Sequence, residues 1–454
     1  MSSTSPVRYP DLRDPSVMTR RAWVLVALNL LIPGSAQLLA GNRRLGRFAT
    51  RATFVLWALV IIALGLFALQ RAVFITIATN FIVLWAVQAV IVFYIVLWVV
   101  LTLDTLRLVR LVRVGERARA FVAGLAVVAL VAVGGAAAYG VMIAGVTRST
   151  VDSVFSGGQI EDPVDGRYNI LLLGGDAGPD RDGLRPDSIS VVSIEADSGK
   201  TTIFGIPRNL EYAPFAADSP MLAEYPDGYG VDGCEVDVCL INSIYTEVEL
   251  YESDLYPDAE SKGSTPGIEA MRDAAEGVLG LKIQYYALID MQGFSQLIDA
   301  LGGVTIDSQG RYPINGDVDE DGNPVDVDGW IEPGVQVMDG YTALWYARSR
   351  YSTSDYDRMD RQRQVQEAIL QQFDPANVLT KFQAIAEAGA EVVRTDIPQA
   401  MLGHFVELAG KARTQDIAKV ELVPPEVDPE QPDYAYVRQL VAEATVISTP
   451  DPKG

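Results

Sequence analysis

Long uncharged runs separated by arginine-bearing turns fill the first 150 residues. Behind them, short apolar runs alternate with segments of helical period. Residues 22–42, 52–70, 72–103 and 120–147 contain no Asp, Glu, Lys or Arg. About 20 apolar residues in a helix cross a hydrocarbon core of ~30 Å. The last three runs therefore predict spans at about 52–70, 74–101 and 120–146. In the first, Pro33, Gly34 and Ser35 interrupt the pattern and Asn29 and Gln37 dilute it. Segment 22–40 is accordingly expected as a re-entrant or interfacial helix pair, with a full span as the less favoured reading. Four such runs exceed a cleavable signal peptide, so the anchor is expected to stay.

Residues 1–21 precede this membrane region (22–147), and residues 148–166 read as a polar, turn-rich linker. An α/β pattern then runs over 167–445, ahead of a polar tail at 446–454. The run Asn169–Gly175 predicts a buried strand, and Ser188–Ile194 and Thr201–Ile206 two more, joined by a turn at 197–200. Thr265 and Pro266 open a helix whose Ile268, Met271, Ala275, Val278 and Leu279 share one face. Tyr285–Asp290 is a strand and Gly293–Leu301 a helix closed by Gly302 and Gly303. A further helix begins near Asp355, helical patterns continue through 377–413, and Val420–Val423 reads as a late strand.

Charge divides the chain at the same boundary. Of 36 basic and 58 acidic residues, 15 Arg and four acids lie before residue 151, a net of +11; the remainder carries −33. Arg43, Arg44, Arg47 and Arg51 precede the 52–70 span, and Arg107, Arg110, Arg113, Arg117 and Arg119 lie between the last two. Such clusters stay cytoplasmic, which places everything after Gly145 outside. A domain of −33 has no means of neutralising nucleic-acid phosphates, so nucleic acid is excluded as a partner. Cys234 and Cys239 suit a local disulfide in an oxidising compartment, with two free thiols as the alternative.

Against that acidic background, Arg348, Arg350, Arg358, Arg361 and Arg363 fall within sixteen residues. Arginine suits bidentate binding of phosphate. An extended Leu344–Arg350 would put Arg348 and Arg350 on one face. On the following helix Arg358, Arg361, Gln362, Val365 and Ile369 share a face, basic first and apolar later. That suits a ligand with a charged head and an apolar tail; salt bridges to Asp355, Asp357 and Asp360 are the competing explanation. Arg363 points off this face and is expected to be solvated. Asp176 ends one strand and Asp187 leads into the next, with Arg185 beside it and Arg208 at a third strand end. Two carboxylates at a sheet end suit Mg²⁺. Capping of turns is the commoner use of such a pair. Asp317, Asp319, Asp321 and Asp328 have the spacing of a Ca²⁺ loop, but the nearby prolines favour an acidic hairpin tip.

Taken in order, these stretches resemble the LytR-CpsA-Psr (LCP) proteins, which attach glycopolymers to bacterial cell walls. The matching stretches are Asn169–Asp176, Arg185–Ser188, Ile206–Arg208, Ile241–Ser243, Gly277–Leu281 with Tyr285–Tyr286, Phe294–Val304, Gly334–Leu344, Tyr346–Arg350 and Arg358–Gln362. The resemblance implies a membrane-anchored, extracytoplasmic α/β domain, with helices flanking a mixed sheet around an apolar lipid tunnel. It assigns Mg²⁺, with Mn²⁺ as a substitute, to Asp176 and Asp187. Arg185, Arg208, Arg348, Arg350, Arg358 and Gln362 would hold the diphosphate of a polyprenyl-linked glycopolymer donor, with Arg361 in the same motif. Asp187 and Arg208 are the expected catalytic pair, peptidoglycan the acceptor and membrane lipid the surroundings. Where the family usually carries Asp after Pro-Arg, this chain has Asn209. A diphosphate hydrolase and a non-enzymatic envelope or regulatory protein are the alternatives.

Overall fold

A computed structural model describes residues 7–155, 158–176, 184–319, 323–351, 354–372 and 393–447. The chain forms two compact units, Met1–Arg148 and Ser149–Gly454.

In the first unit, α1 (Pro15–Leu31) starts at Asp14, whose carboxylate accepts from the Ser16 and Val17 amides. The break anticipated at Pro33–Gly34 is present, and α2 (Ser35–Ala40) follows it. Gly34 has φ +96°, and a Cβ there would lie 2.7 Å from the Ala49 Cβ and the Thr50 amide nitrogen, so only glycine lets the chain pass α3 (Arg43–Leu69) so closely. Run 72–103 is two helices rather than one element: α4 (Arg71–Thr79) stops at Asn80, and the Asn80 side chain caps α5 (Phe81–Val109). The polar groups that dilute the first run are used internally. Gln37 Nε2 donates to Leu101 O and Thr105 Oγ1, both at 2.9 Å, and Asn29 Nδ2 donates to Thr102 Oγ1. Helix α6 (Glu116–Val154) runs through the first part of the stretch expected as an irregular linker. Among the described residues, three helical segments, Arg43–Leu69, Ile82–Arg113 and Glu116–Gly145, are long and apolar enough to cross a membrane.

The second unit is built on a six-stranded mixed sheet. Strands β1 (Arg167–Asp176), β2 (Arg185–Glu195) and β3 (Thr201–Ile206) form an antiparallel meander. Two short helices, α7 (Met221–Glu224) and α8 (Ile244–Leu250), lead to α9 (Pro266–Leu279) and to β4 (Tyr285–Asp290), which pairs parallel to β1. Helix α10 (Met291–Leu301) ends at Gly302, in the left-handed region. Then come β5 (Val304–Ser308), β6 (Tyr312–Ile314), β7 (Asp317–Val318), β8 (Pro324–Val325), β9 (Gly329–Ile331) and β10 (Gly334–Met338), followed by α11 (Gly340–Arg348) and α12 (Asp355–Gln372). β11 (Val393–Thr395) and β12 (Ala418–Glu421), with α13 (Leu402–Ala412) between them, complete the sheet; α14 (Tyr434–Ala444) closes the unit. Strand order is β11-β4-β1-β2-β3-β12.

Strand periodicity divides the side chains between two faces. Leu171, Leu173, Ile189, Val191, Phe204 and Ile206 pack on Ile244, Ile268, Met271, Val278 and Val437. Tyr168, Val192, Ile194, Ile203 and Tyr285 pack on the other side with Met401, Leu408 and Leu370. Gly277 of α9 lies so close to the neighbouring chain that a Cβ would come within 2.1 Å of Pro214 O. A second core gathers Ile298, Val304, Ile306, Tyr312, Ile331, Met338, Ala343, Tyr346 and Val365 between the small strands and α10–α12.

Some sequence expectations change. Leu344–Arg348 is helical, so Arg348 and Arg350 do not share a face of an extended strand. A strand, β11, lies within the 377–413 stretch expected as helical; residues 377–392 of that stretch, like the tail beyond 447, lie outside the described residues. The acidic loop forms a small β7–β8 hairpin, as the prolines suggested, with Asp321 outside the described residues. Cys234 and Cys239 are disulfide-bonded.

Candidate functional site

The β1–β2 hairpin supplies the first part of the site. Register runs Gly174↔Ser188 and then Gly175↔Pro186, so Asp187 is the extra residue of a β-bulge. A bulge re-aims the local side chain, and proline is tolerated there because no ladder bond is required of it. Asp176 pairs in register with Arg185 at the mouth of the hairpin. Its backbone is described; its side chain lies outside the described residues.

Arg208, just past β3, donates from Nη1 to Asp187 Oδ1 at 2.7 Å and from Nε to Asp355 Oδ2 at 3.3 Å. Asp355, the first residue of α12, also takes Arg350 Nε at 3.4 Å and Arg358 Nη2 at 3.0 Å. Arg358 Nη2 additionally lies 3.4 Å from Asp187 O, which ties α12 to the bulge. Three guanidiniums thus share two carboxylates. Burial opposes the charge of Arg208, but Asp187 and Asp355 outweigh it and hold its pKa above the ordinary value. Arg358 is 4% exposed, and burial, with Arg350 and Arg208 adding repulsion against the pull of Asp355, pushes its pKa down to about 10. The cluster therefore has an excess of positive charge at a desolvated point, which an anion would relieve.

Three polar atoms at this place are buried and have no hydrogen-bond partner among the described residues: Arg358 Nε, Gln362 Oε1 and Asn209 Oδ1. Gln362 lies one turn along α12 from Arg358, and its Nε2 donates to Ala347 O at 3.4 Å. Buried polar groups are normally satisfied, so such a set marks a place that takes a ligand or water.

The other predicted residues sit elsewhere. Arg348, exposed at the end of α11, stacks on Trp345 with its Cζ 5.2 Å from the ring centre. Arg185, at the start of β2, lies close enough to Tyr229 to favour ionisation of its hydroxyl, although burial raises that pKa overall. Arg361 is buried: its Nε donates to Tyr346 O at 2.9 Å, its Nη2 to Ser349 O, and its Cζ lies 4.4 Å over the Tyr312 ring. This guanidinium closes the carbonyl end of α11 and belongs to the second core. Arg363, expected to be solvated, is fully buried; Nε lies 3.5 Å from Glu421 Oε1, and Nη1 donates to Gln366 Oε1 at 2.6 Å. It is buried because α12 is covered on two sides, by the small strands and by the sheet, so the direction away from Arg358 is also inside. Asp355, which the sequence marks only as a salt-bridge partner, organises the cluster; an acid in the first helical turn, three residues before Arg358, is the signal that marks it. The apolar lipid tunnel is not shown, and Val365 and Ile369 pack into the second core.

The profile of the LytR_cpsA_psr family matches residues 146–445. Among curated proteins, the chain is 38% identical over 232 residues to the polyisoprenyl-teichoic acid–peptidoglycan teichoic acid transferase TagU of Halalkalibacterium halodurans, covering 51% of this chain and 61% of that one. It is 27% identical over 263 residues to the cell wall biosynthesis protein LcpA of Corynebacterium glutamicum, covering 51% and 45%. The chain thus spans about half to three-fifths of the length of these relatives. Among solved structures, TagV of B. subtilis is similar at 22% identity and a TM-score of 0.43, covering 63% of this chain and 98% of that one.

Proposed function

The chain belongs to the LytR_cpsA_psr family, and from that premise we propose that it transfers a glycopolymer from a polyprenyl-diphosphate carrier to peptidoglycan, outside the cytoplasmic membrane. The observation that carries this reading is the Arg208–Arg350–Arg358 cluster, in which the Arg358 Nε donor is buried and unpartnered. The name of the TagU relative supports a transferase.

In the reaction, an acceptor hydroxyl oxygen attacks the phosphorus next to the sugar. A new P–O bond forms, the P–O bond to the polyprenyl phosphate breaks, and polyprenyl phosphate departs with the bonding electron pair. Such a transfer needs alignment and neutralisation of charge more than covalent catalysis. Arg208, Arg350 and Arg358 hold the diphosphate oxygens, and Asp187 takes the hydroxyl proton. Arg185 and Arg348 extend the positive field along the donor. Asp187, in the β2 bulge next to the strand end where Asp176 pairs with Arg185, presents a hard carboxylate oxygen of the kind that fits Mg²⁺ or Mn²⁺. Asp187 and Asp176 would hold the ion, which supplies further charge neutralisation on the diphosphate. Arg361 supports the turn that presents Arg350.

The test is incubation of the purified full chain with a labelled polyprenyl-diphosphate glycan and peptidoglycan. Linkage of label to peptidoglycan is expected, reduced ten- to a hundredfold by Arg208→Ala, since charge-assisted bonds contribute about 1.5–3 kcal/mol each. Free glycosyl phosphate without linkage would establish hydrolysis instead. No product of either kind, with the variant behaving as the wild type, would overturn the enzymatic reading.

A further inference from the structure

Four partly exposed aromatic rings belong to none of the hydrophobic cores of the α/β unit: Trp330, Tyr341, Trp345 and Tyr351. Each ring carries ~150–250 Å² of largely apolar surface, so keeping four of them partly wet is a cost that folding does not explain. They are arranged in a strip. Tyr351 follows Arg350 directly, and its ring centre lies 5.9 Å from that of Trp330 on β9. Arg311, just before β6, places its Cζ 3.8 Å from the Trp330 ring centre and is held there by Glu332 at 2.9 Å. Two residues before Trp330, Asp328 accepts from Asn315 Nδ2 at 3.0 Å and from the Tyr341 hydroxyl at 2.9 Å. Tyr341 then leads through Trp345, 6.4 Å away between ring centres, to Arg348.

We propose that this strip is a carbohydrate subsite that binds the sugar rings next to the donor diphosphate. A pyranose presents a face of C–H groups with partial positive charge and a rim of hydroxyls. The first matches the negative face of an aromatic ring; the second matches planar polar groups such as the Asp328 and Glu332 carboxylates, the Asn315 amide and the Arg311 guanidinium. Tyr351 follows Arg350 of the cluster directly in the chain, so the strip begins one residue from the proposed diphosphate site, within reach of the first sugars of a diphosphate-linked glycan. A membrane surface is the other natural partner of Trp and Tyr, but Asp328 and Glu332 among the rings would repel anionic lipid. The subsite rests on the reading of the arginine cluster as a diphosphate site.

The full chain in nanodiscs is titrated with undecaprenyl diphosphate and with the same lipid carrying a chitobiose disaccharide. The wild type is expected to bind the glycolipid about tenfold tighter than the bare lipid, within the range of a single stacking contact. Trp330→Ala and Trp330→Leu should both abolish that gain and leave the bare lipid within twofold; the leucine variant keeps the bulk and separates ring chemistry from packing. Equal wild-type affinity for the two lipids would overturn the subsite. So would a Trp330 variant that weakens both equally or only lowers affinity for anionic vesicles. Arg208→Ala should weaken both lipids; if it weakens neither, the diphosphate reading itself fails, a result distinct from loss of the disaccharide gain alone.

Discussion

Asp355 sets the resting state of the arginine cluster. Its one carboxylate meets three guanidiniums, a role that a diphosphate would take over with more oxygens and more charge. Asp355→Asn is therefore expected to bind inorganic pyrophosphate several-fold tighter in calorimetry while melting at a lower temperature without ligand; weaker binding would make Asp355 part of the ligand contact instead. Arg358 and Arg361, three positions apart, separate function from folding. Arg358→Ala should keep its fold and lose at least tenfold in turnover. Arg361→Ala leaves the Tyr346 and Ser349 carbonyls bare and should lower unfolding stability by about 3 kcal/mol, read by denaturant titration. Glu421 carries a pH signature. Burial pushes its carboxyl up from 4.5 to about 7, with Arg363 opposing the rise. Ionisation is harder in the folded state than in the unfolded one, so this contribution to stability is whole below about pH 4.5 and is lost as pH rises through about 7. The difference amounts to about 3 kcal/mol. Measured across pH 4.5–8, Glu421→Gln should gain on the wild type by up to that amount; a constant difference would show that Glu421 does not titrate there.

Elements marked by an apolar run with clear breakers at its ends were legible in the sequence. Strands β1–β4, helix α9 with its glycine stop and the late strand β12 all follow from runs and breakers that need no tertiary information. Helix α12 was legible as a helix but not in its surroundings. A sequence shows which residues share a face, not how many faces are covered, so Arg363 read as solvent-exposed when it faces Glu421. Helix α11 was missed because Arg348 and Arg350 flank Ser349, a strand-like alternation that the Asp339 cap and packing on α10 override. The Asp187 bulge also escaped, although Pro186 inside a strand was a usable sign of it. Of the candidate site, the resemblance supplied the arginines and geometry supplied their counter-ions. Packing between elements gives a further expectation. Gly277→Ala drives a methyl into Pro214 O and should cost at least about 2 kcal/mol as α9 is pushed from its neighbour, seen as a lower melting temperature with unchanged helix content.

At the scale of the whole molecule, a basic apolar unit and an acidic α/β unit share one chain. The arginines at 43–51 and 107–119 would hold their turns in the cytoplasm. Protease added to intact protoplasts should then digest residues 158–447 and spare the arginine-bearing turns, whereas the reverse pattern would invert the proposed topology. Within the α/β unit, α12 is shared property: Asp355 and Arg358 serve the site, Arg361 and Val365 the second core, and Arg363 and Gln366 the sheet, which leaves a narrow wet stripe at Asp357, Asp360 and Gln371. Few positions on that helix are therefore spare. An inhibitor built to engage Arg358 would meet a target where resistance is hard to evolve, because a substitution that weakens the drug is expected to lower turnover as well.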